Sequence, residues 1–160
     1  LISATSDSLH NMKLKQLSLF LENKPGALGA PMRVLAAAGL NITTMSLADT
    51  QDFGILRLIV REWEKALALL QQNGFVVNVT DVIAIEVSDK PGGLAEILTP
   101  IEDSGINVEY MYAFTLKKGD KGVLVFRFDN PDRALTVLKQ HKINVVGQIE
   151  LFKRVGKTDG

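Results

Sequence analysis

The sequence predicts an α+β protein made of two tandem βαββαβ units, each an antiparallel sheet with its helices on one face. Three observations predict it. The stretch "NKPGALG" at residues 23–29 returns almost unchanged as "DKPGGLA" at 89–95. Each copy of this turn follows an alternating triplet, Leu17, Leu19 and Leu21 or Ile83, Ile85 and Val87, which is the period of a half-buried strand. Each leads into apolar residues at helical spacing, Leu28, Met32 and Leu35 or Leu94, Leu98 and Ile101, stopped by Gly39 or Gly105.

The repeat extends well beyond the turn. At an offset of 66, Leu21 meets Val87, Lys24 meets Lys90, Pro25 meets Pro91, Asn41 meets Asn107, Ile42 meets Val108 and Met45 meets Met111. Past the middle loop the offset becomes 68, where Gly54 meets Gly122, Ala66 and Leu67 meet Ala134 and Leu135, and Leu70 meets Leu138. The second copy has gained two residues in "KKGDKG".

In order, the first copy reads as a strand through Leu21, a helix from the Pro-Gly turn to Gly39, and two strands near 41–48 and 54–61 joined at Asp49 to Asp52. A helix at Trp63 to Gln72 and a closing strand at Phe75 to Val79 complete it. That order is the ferredoxin-like arrangement. A unit of this size buries little core, so two of them joined only near Thr80 and Asp81 are expected to pack on each other or on a second chain. Pro31 lies near the start of its helix, whereas Pro100 falls in the middle of the counterpart, where the missing donor predicts a kink near Thr99.

We expect domain boundaries at 12–80 and 81–153, with a tail at 154–160. Residues 1–11, "LISATSDSLHN", lack the basic start and apolar middle of a signal peptide and are expected to be a leader or disordered tail, with Met12 as a natural start. Basic and acidic residues are balanced at 18 each, so no excess of positive charge argues for nucleic acid or an acidic membrane as partner. Cysteine is absent, which removes disulfides and thiolate chemistry, and His10 and His141 are too few for a metal site. No apolar run approaches the roughly 20 residues that span a bilayer. A cytoplasmic protein without metal or cofactor is expected.

A glycine turn at a helix start presents backbone N–H groups and the positive end of the helix dipole to a carboxylate. Asn23 adds an amide that donates and accepts, suited to a zwitterion, and Asp89 would favour its ammonium end. The same residue types also serve as ordinary turn and cap chemistry. Candidate binding positions are Asn23, Gly26, Ala27, Leu28 and Asn41 in the first copy, with Asp89, Gly92, Gly93, Leu94 and Asn107 in the second. Lys24 and Lys90 could add charge. Tyr110 and Tyr112 are placed on one strand face with Val108 and Phe114 as core packing, and their equivalents in the first copy, Thr44 and Ser46, are small, so the copies would present different pockets. Met45 and Met111 are read as core or interface filler.

"ENKPGALGAPMRVLAAAGLNI" and "SDKPGGLAEILTPIEDSGINV" both resemble the opening of the ACT domain, a small regulatory module of amino-acid metabolism. The resemblance covers nearly all of residues 14–152 as two copies. It implies domains joined edge to edge in a continuous sheet, a homodimer or other paired assembly, and an amino acid held where domains meet. It also implies ligand contact from the residue two before Pro-Gly in one domain and the asparagine of Gly-x-Asn in its partner. Asn23 would then face Asn107, and Asp89 would face Asn41, if the copies pair within a chain; the alternative is pairing between chains, with like meeting like.

ACT domains commonly accompany a catalytic or DNA-binding domain, and these 160 residues leave room for neither. The expected function is a stand-alone amino-acid-binding regulatory protein. The alternative is a non-catalytic regulatory subunit or adaptor that binds a metabolic enzyme through its sheet edges. No nucleophile with a partnered histidine and no phosphate loop is present, and Glu22, Glu86 and Asp103 form no repeated acid pair, so catalysis is not expected.

Overall fold

The structure, a computed structural model, describes residues 3–118 and 121–156. In chain order its elements are α1 (Ser3–Met12), β1 (Leu14–Glu22), α2 (Gly29–Ala37), β2 (Ile42–Asp49), β3 (Phe53–Val60), α3 (Trp63–Gln72) and β4 (Val77–Ser88). There follow α4 (Gly93–Asp103), β5 (Val108–Lys118), β6 (Lys121–Phe128), α5 (Pro131–Gln140), β7 (Val145–Val146) and α6 (Gln148–Val155). The chain divides into two compact units: Lys15–Thr80, and Asp81–Gly160 together with Leu1–Leu14.

In the first unit β3 lies between β1 and β2, antiparallel to both, with Leu17 opposite Leu58 and Met45 opposite Leu58 on the other side. Leu17, Leu19 and Leu21 join Leu56, Leu58 and Val60 in one core beneath Leu35 of α2 and Ala66 and Leu70 of α3, and Val77 completes it. Each such leucine contributes about 1.5–3 kcal/mol by leaving water. In the second unit β4 lies between β6 and β7, and β5 forms the far edge beyond β6. Its core repeats the plan with Ile83, Ile85, Val87, Phe126 and Phe128 under Ile97 and Ile101 of α4 and Leu135 and Leu138 of α5. The α+β, ferredoxin-like reading of both copies therefore stands. The middle of "KKGDKG", residues 119–120, lies outside the described residues.

Four expectations need correction. The closing strand of the first copy does not end at Val79; β4 continues unbroken from Val77 to Ser88, because "VNVTDVIAIEVS" contains no glycine or proline to interrupt it. Residues 3–11, expected within a leader or disordered tail, form α1 together with Met12, and its Leu9 packs on the second core. Gly147 permits the close approach of α1, since a Cβ there would stand 3.1 Å from the Asn11 carbonyl oxygen.

Of the tail expected at 154–160, Arg154 and Val155 belong instead to α6, and residues 157–160 lie outside the described residues. Alternation along β4 turns Glu86 away from Ile85 and Val87, and Arg154 of α6 bonds Glu86 at 2.7 Å. Thus α6 is attached to the face that α4 and α5 leave open, and the second unit carries helices on both faces. Finally, Val108 does not share a face with Tyr110. A register shift at Glu109 puts Val108 opposite Phe128, on the core side, and Tyr110, Tyr112 and Phe114 opposite Arg127, Val125 and Val123, on the other. The first copy shifts at the equivalent place, between Ile42 and Thr44.

Pro31 sits in the first turn of α2, where its missing N–H has no intrahelical acceptor to lose. Helix α4 continues through Pro100, with the Thr99 hydroxyl donating to the Ala95 carbonyl at 2.9 Å.

Candidate functional site

The two Pro-Gly turns have the same backbone. Gly26 and Gly92 both stand at φ 85°, a left-handed conformation that costs other residues roughly 1–2 kcal/mol. Each turn then closes identically: Ala27 N–H donates to the Lys24 carbonyl and Gly93 N–H to the Lys90 carbonyl. Ala30 N–H donates to Gly26 and Glu96 N–H to Gly92. The N–H groups of Ala27 and Gly93 are consequently occupied within the turn. Those of Leu28 and Leu94 stand at the helix starts, where intrahelical acceptors run out.

The polar positions differ between the copies. Asn23 is exposed and held to the turn between β2 and β3, its backbone N–H to Asp52 at 3.0 Å and its side-chain amide to the Gln51 carbonyl at 3.4 Å. Asp89 is exposed, with no side-chain partner among the described residues. Asn41 and Asn107 are both exposed at the entrance to β2 and β5. Asn107 is bound by its backbone, its N–H to the Asp129 carboxylate and its carbonyl to the Asp129 N–H, each at 3.1 Å.

Within each unit the turn and the asparagine do not come together. They stand at opposite ends of α2 or α4, helices of 9 and 11 residues that hold them roughly 13 and 16 Å apart at 1.5 Å per residue. A ligand the size of one amino acid cannot touch both ends within one unit.

A small cavity of about 240 Å³ does open beside the second turn, lined by Glu86, Ser88, Gly93, Glu96, Lys121, Lys142 and Asn144 among others. Burial pushes the Glu86 carboxyl up, but the Asn144 amide at 2.6 Å, the Arg154 guanidinium and nearby Lys121 more than offset this and hold it below its ordinary value. The same network raises Arg154: burial opposes its charge, and hydrogen bonds to Glu150 and Glu86 outweigh that. Lys121, Lys142 and Asn144 were not among the positions singled out by sequence. The signal available for Lys142 is the offset of 68, which sets it on Gly74.

Among the described residues no group of three or more His, Asp or Glu could hold a metal ion, and no helix is long and apolar enough to cross a membrane.

A family model described as an ACT domain pair matches residues 12–155. The chain belongs to this family. The ACT pair is similar to protein BT0572 of Bacteroides thetaiotaomicron, with 40% identity and a TM-score of 0.82 over 89% of this chain and 97% of that one. It shares its fold with the ligand-free regulatory subunit of aspartate kinase from Thermus thermophilus, at 14% identity and TM-score 0.60 over 82% of this chain and 94% of that one. The corresponding subunit from Thermus flavus has 15% identity and TM-score 0.58, covering 81% and 93% of the two chains. Comparison with curated proteins found no match.

Proposed function

We propose that this ACT pair is a stand-alone, non-catalytic regulatory protein of amino-acid metabolism that binds an amino acid where ACT domains meet. The observation that carries the reading is the duplicated turn, with Gly26 and Gly92 at one φ and the same closing hydrogen bonds in both copies. The separation of turn from asparagine by a full helix in each unit supports a site completed by a second domain, from the same chain or from the partner in a homodimer. The proposed contacts are Asn23, Asp89, Asn41 and Asn107, with the helix starts at Gly26, Ala27 and Leu28 and at Gly92, Gly93 and Leu94. Since the N–H groups of Ala27 and Gly93 close the turns, carboxylate binding falls to Leu28 and Leu94. Such a ligand, having few heavy atoms, binds in the micromolar to millimolar range. The proposed setting is the cytoplasm.

Thermal unfolding against the twenty amino acids and related 2-oxo acids at millimolar concentration tests this, because a ligand of the folded state raises the midpoint by mass action. One chemical group of amino acids is expected to do so, with the shift lost in Asn107→Ala. No shift from any of them sinks the sensor reading.

A second reading, a regulatory subunit or adaptor for a metabolic enzyme, is favoured by the large apolar side chains exposed on strands of the first unit, Phe20, Met45, Leu47 and Phe53. The fold shared with regulatory subunits of aspartate kinase is consistent with it. A purified protein that binds no amino acid alone, and binds one only with an enzyme present, would select this reading.

A further inference from the structure

Helix α3 ends on Gly74 at φ 83°, and α5 ends on Lys142 at φ 57°, the equivalent position at the offset of 68. The two exits close with matching hydrogen bonds: Gly74 to Gln71 and Phe75 to Leu70 in one, Lys142 to Lys139 and Ile143 to Leu138 in the other. Lys142 is the single non-glycine residue at positive φ among those described. A lysine therefore occupies a backbone conformation that glycine fills without strain in the first copy.

The place where it stands distinguishes the two copies. Lys142 lines the 240 Å³ cavity at the end of β4 and both neighbouring ones, between α1 and α5 and beside Pro100. Two carboxylates and two ammonium groups line the smallest cavity, and each carboxylate also has a closer cation that is not part of the lining. Glu86 is held by Arg154 and Asn144, and Glu96 pairs with Lys90 at 3.4 Å. Lys121 and Lys142 have no side-chain hydrogen bond or ion pair among the described residues. Arg154 is shared with Glu150 and Lys121 adds its field at Glu86, so the three carboxylates Glu86, Glu96 and Glu150 stand against the four cations Arg154, Lys90, Lys121 and Lys142, which leaves an excess of one positive charge around the cavity. The cavity is smaller than the roughly 300–1,000 Å³ clefts that take drug-sized ligands, so its occupant has few atoms.

We propose that this cavity is a second ligand site, contained within the second unit and bordering the turn-and-asparagine site at Gly93, that takes a small dicarboxylate between Lys121 and Lys142. The class includes acidic amino acids and diacids without an ammonium group. One carboxylate is received by each ammonium, as point charges do without demanding a planar fork, and the Ser88 hydroxyl and Asn144 amide complete the polar lining. The first copy has Gly74 in place of the decisive lysine.

Calorimetric titration of the full chain with aspartate, glutamate, succinate and 2-oxoglutarate tests the assignment. At least one of these diacids is expected to bind. Lys142→Gly restores the residue of the first copy in a backbone that suits it, so the fold is retained while affinity falls at least about tenfold. Lys121→Gln is expected to weaken binding similarly. Asn107→Ala, which removes a contact of the turn-and-asparagine site, is expected to leave diacid affinity unchanged. The proposal is overturned if none of the four diacids binds, or if Lys142→Gly binds them as the unaltered protein does. It is also overturned if binding disappears in Asn107→Ala and survives in Lys142→Gly, since the ligand then belongs to the other site.

Discussion

Ala27 and Gly93 occupy the same place in the two copies and donate the same hydrogen bond, to Lys24 and Lys90, yet only one of them carries a Cβ. In the second copy a Cβ would stand 2.2 Å from the Ser88 carbonyl oxygen. The strand before the turn therefore passes closer to the helix start there than in the first copy. The repeat preserves backbone conformation and hydrogen bonding, and the copies diverge in how tightly the turn sits on its strand and in what is attached around it. This difference sets the largest expected effect. Gly93→Ala forces a backbone atom to move and should lower stability by on the order of 3 kcal/mol in urea unfolding. Ala27→Gly should cost no more than about 1 kcal/mol. Equal costs at the two positions would mean the copies are packed alike.

The shared backbone makes the opposite prediction. Gly26→Ala and Gly92→Ala each place a Cβ in open space, so the cost is conformational alone, about 1–2 kcal/mol and equal in the two copies. Unequal losses in thermal or urea unfolding would show that one turn is strained by something other than its φ.

This symmetric layer was the part most legible in sequence. Turn glycines, alternating leucines and helix-stopping glycines act locally, and a local rule leaves the same mark each time it is used. The attachments were less legible. Helix α6 does carry a period, with Leu151 and Val155 four apart, as are Glu150 and Arg154, but it follows a strand of only two residues. The side chain of Asn23 shows a second limit. Its residue type suits a ligand and a turn equally, and its bond to the Gln51 carbonyl is a contact with a segment far along the chain. The register shifts at Thr43 and Glu109 likewise turn on pairing with the neighbouring strand, so strict alternation wrongly set Tyr110, Tyr112 and Phe114 on the face of Val108.

The attachment of α6 has a pH signature that the first copy lacks. Glu86 has its carboxyl pKa lowered in the folded protein, so its pairing with Arg154 and Asn144 stabilises the fold above the ordinary carboxylate range. That contribution disappears as pH falls through the lowered folded value. Arg154→Met should therefore destabilise the protein at neutral pH by about 1 kcal/mol and flatten the acid limb of its stability profile. An unchanged acid limb in that variant would mean other carboxylates govern acid unfolding.

The smallest effect returns to the helix exits, and it separates fold from ligand. Gly74→Lys should cost about 1 kcal/mol, as a side chain is forced into the left-handed region. Lys142→Gly should gain less than that, roughly 0.5 kcal/mol, because the relief of strain is partly offset by the greater freedom of glycine in the unfolded chain. Both are within reach of urea unfolding when the variants are measured side by side. A gain at position 142 together with weaker diacid binding would identify a residue that the fold disfavours and the cavity uses. A loss there would mean Lys142 makes a stabilising contact of its own, and the exchange of glycine for lysine would then be explained by packing without a ligand.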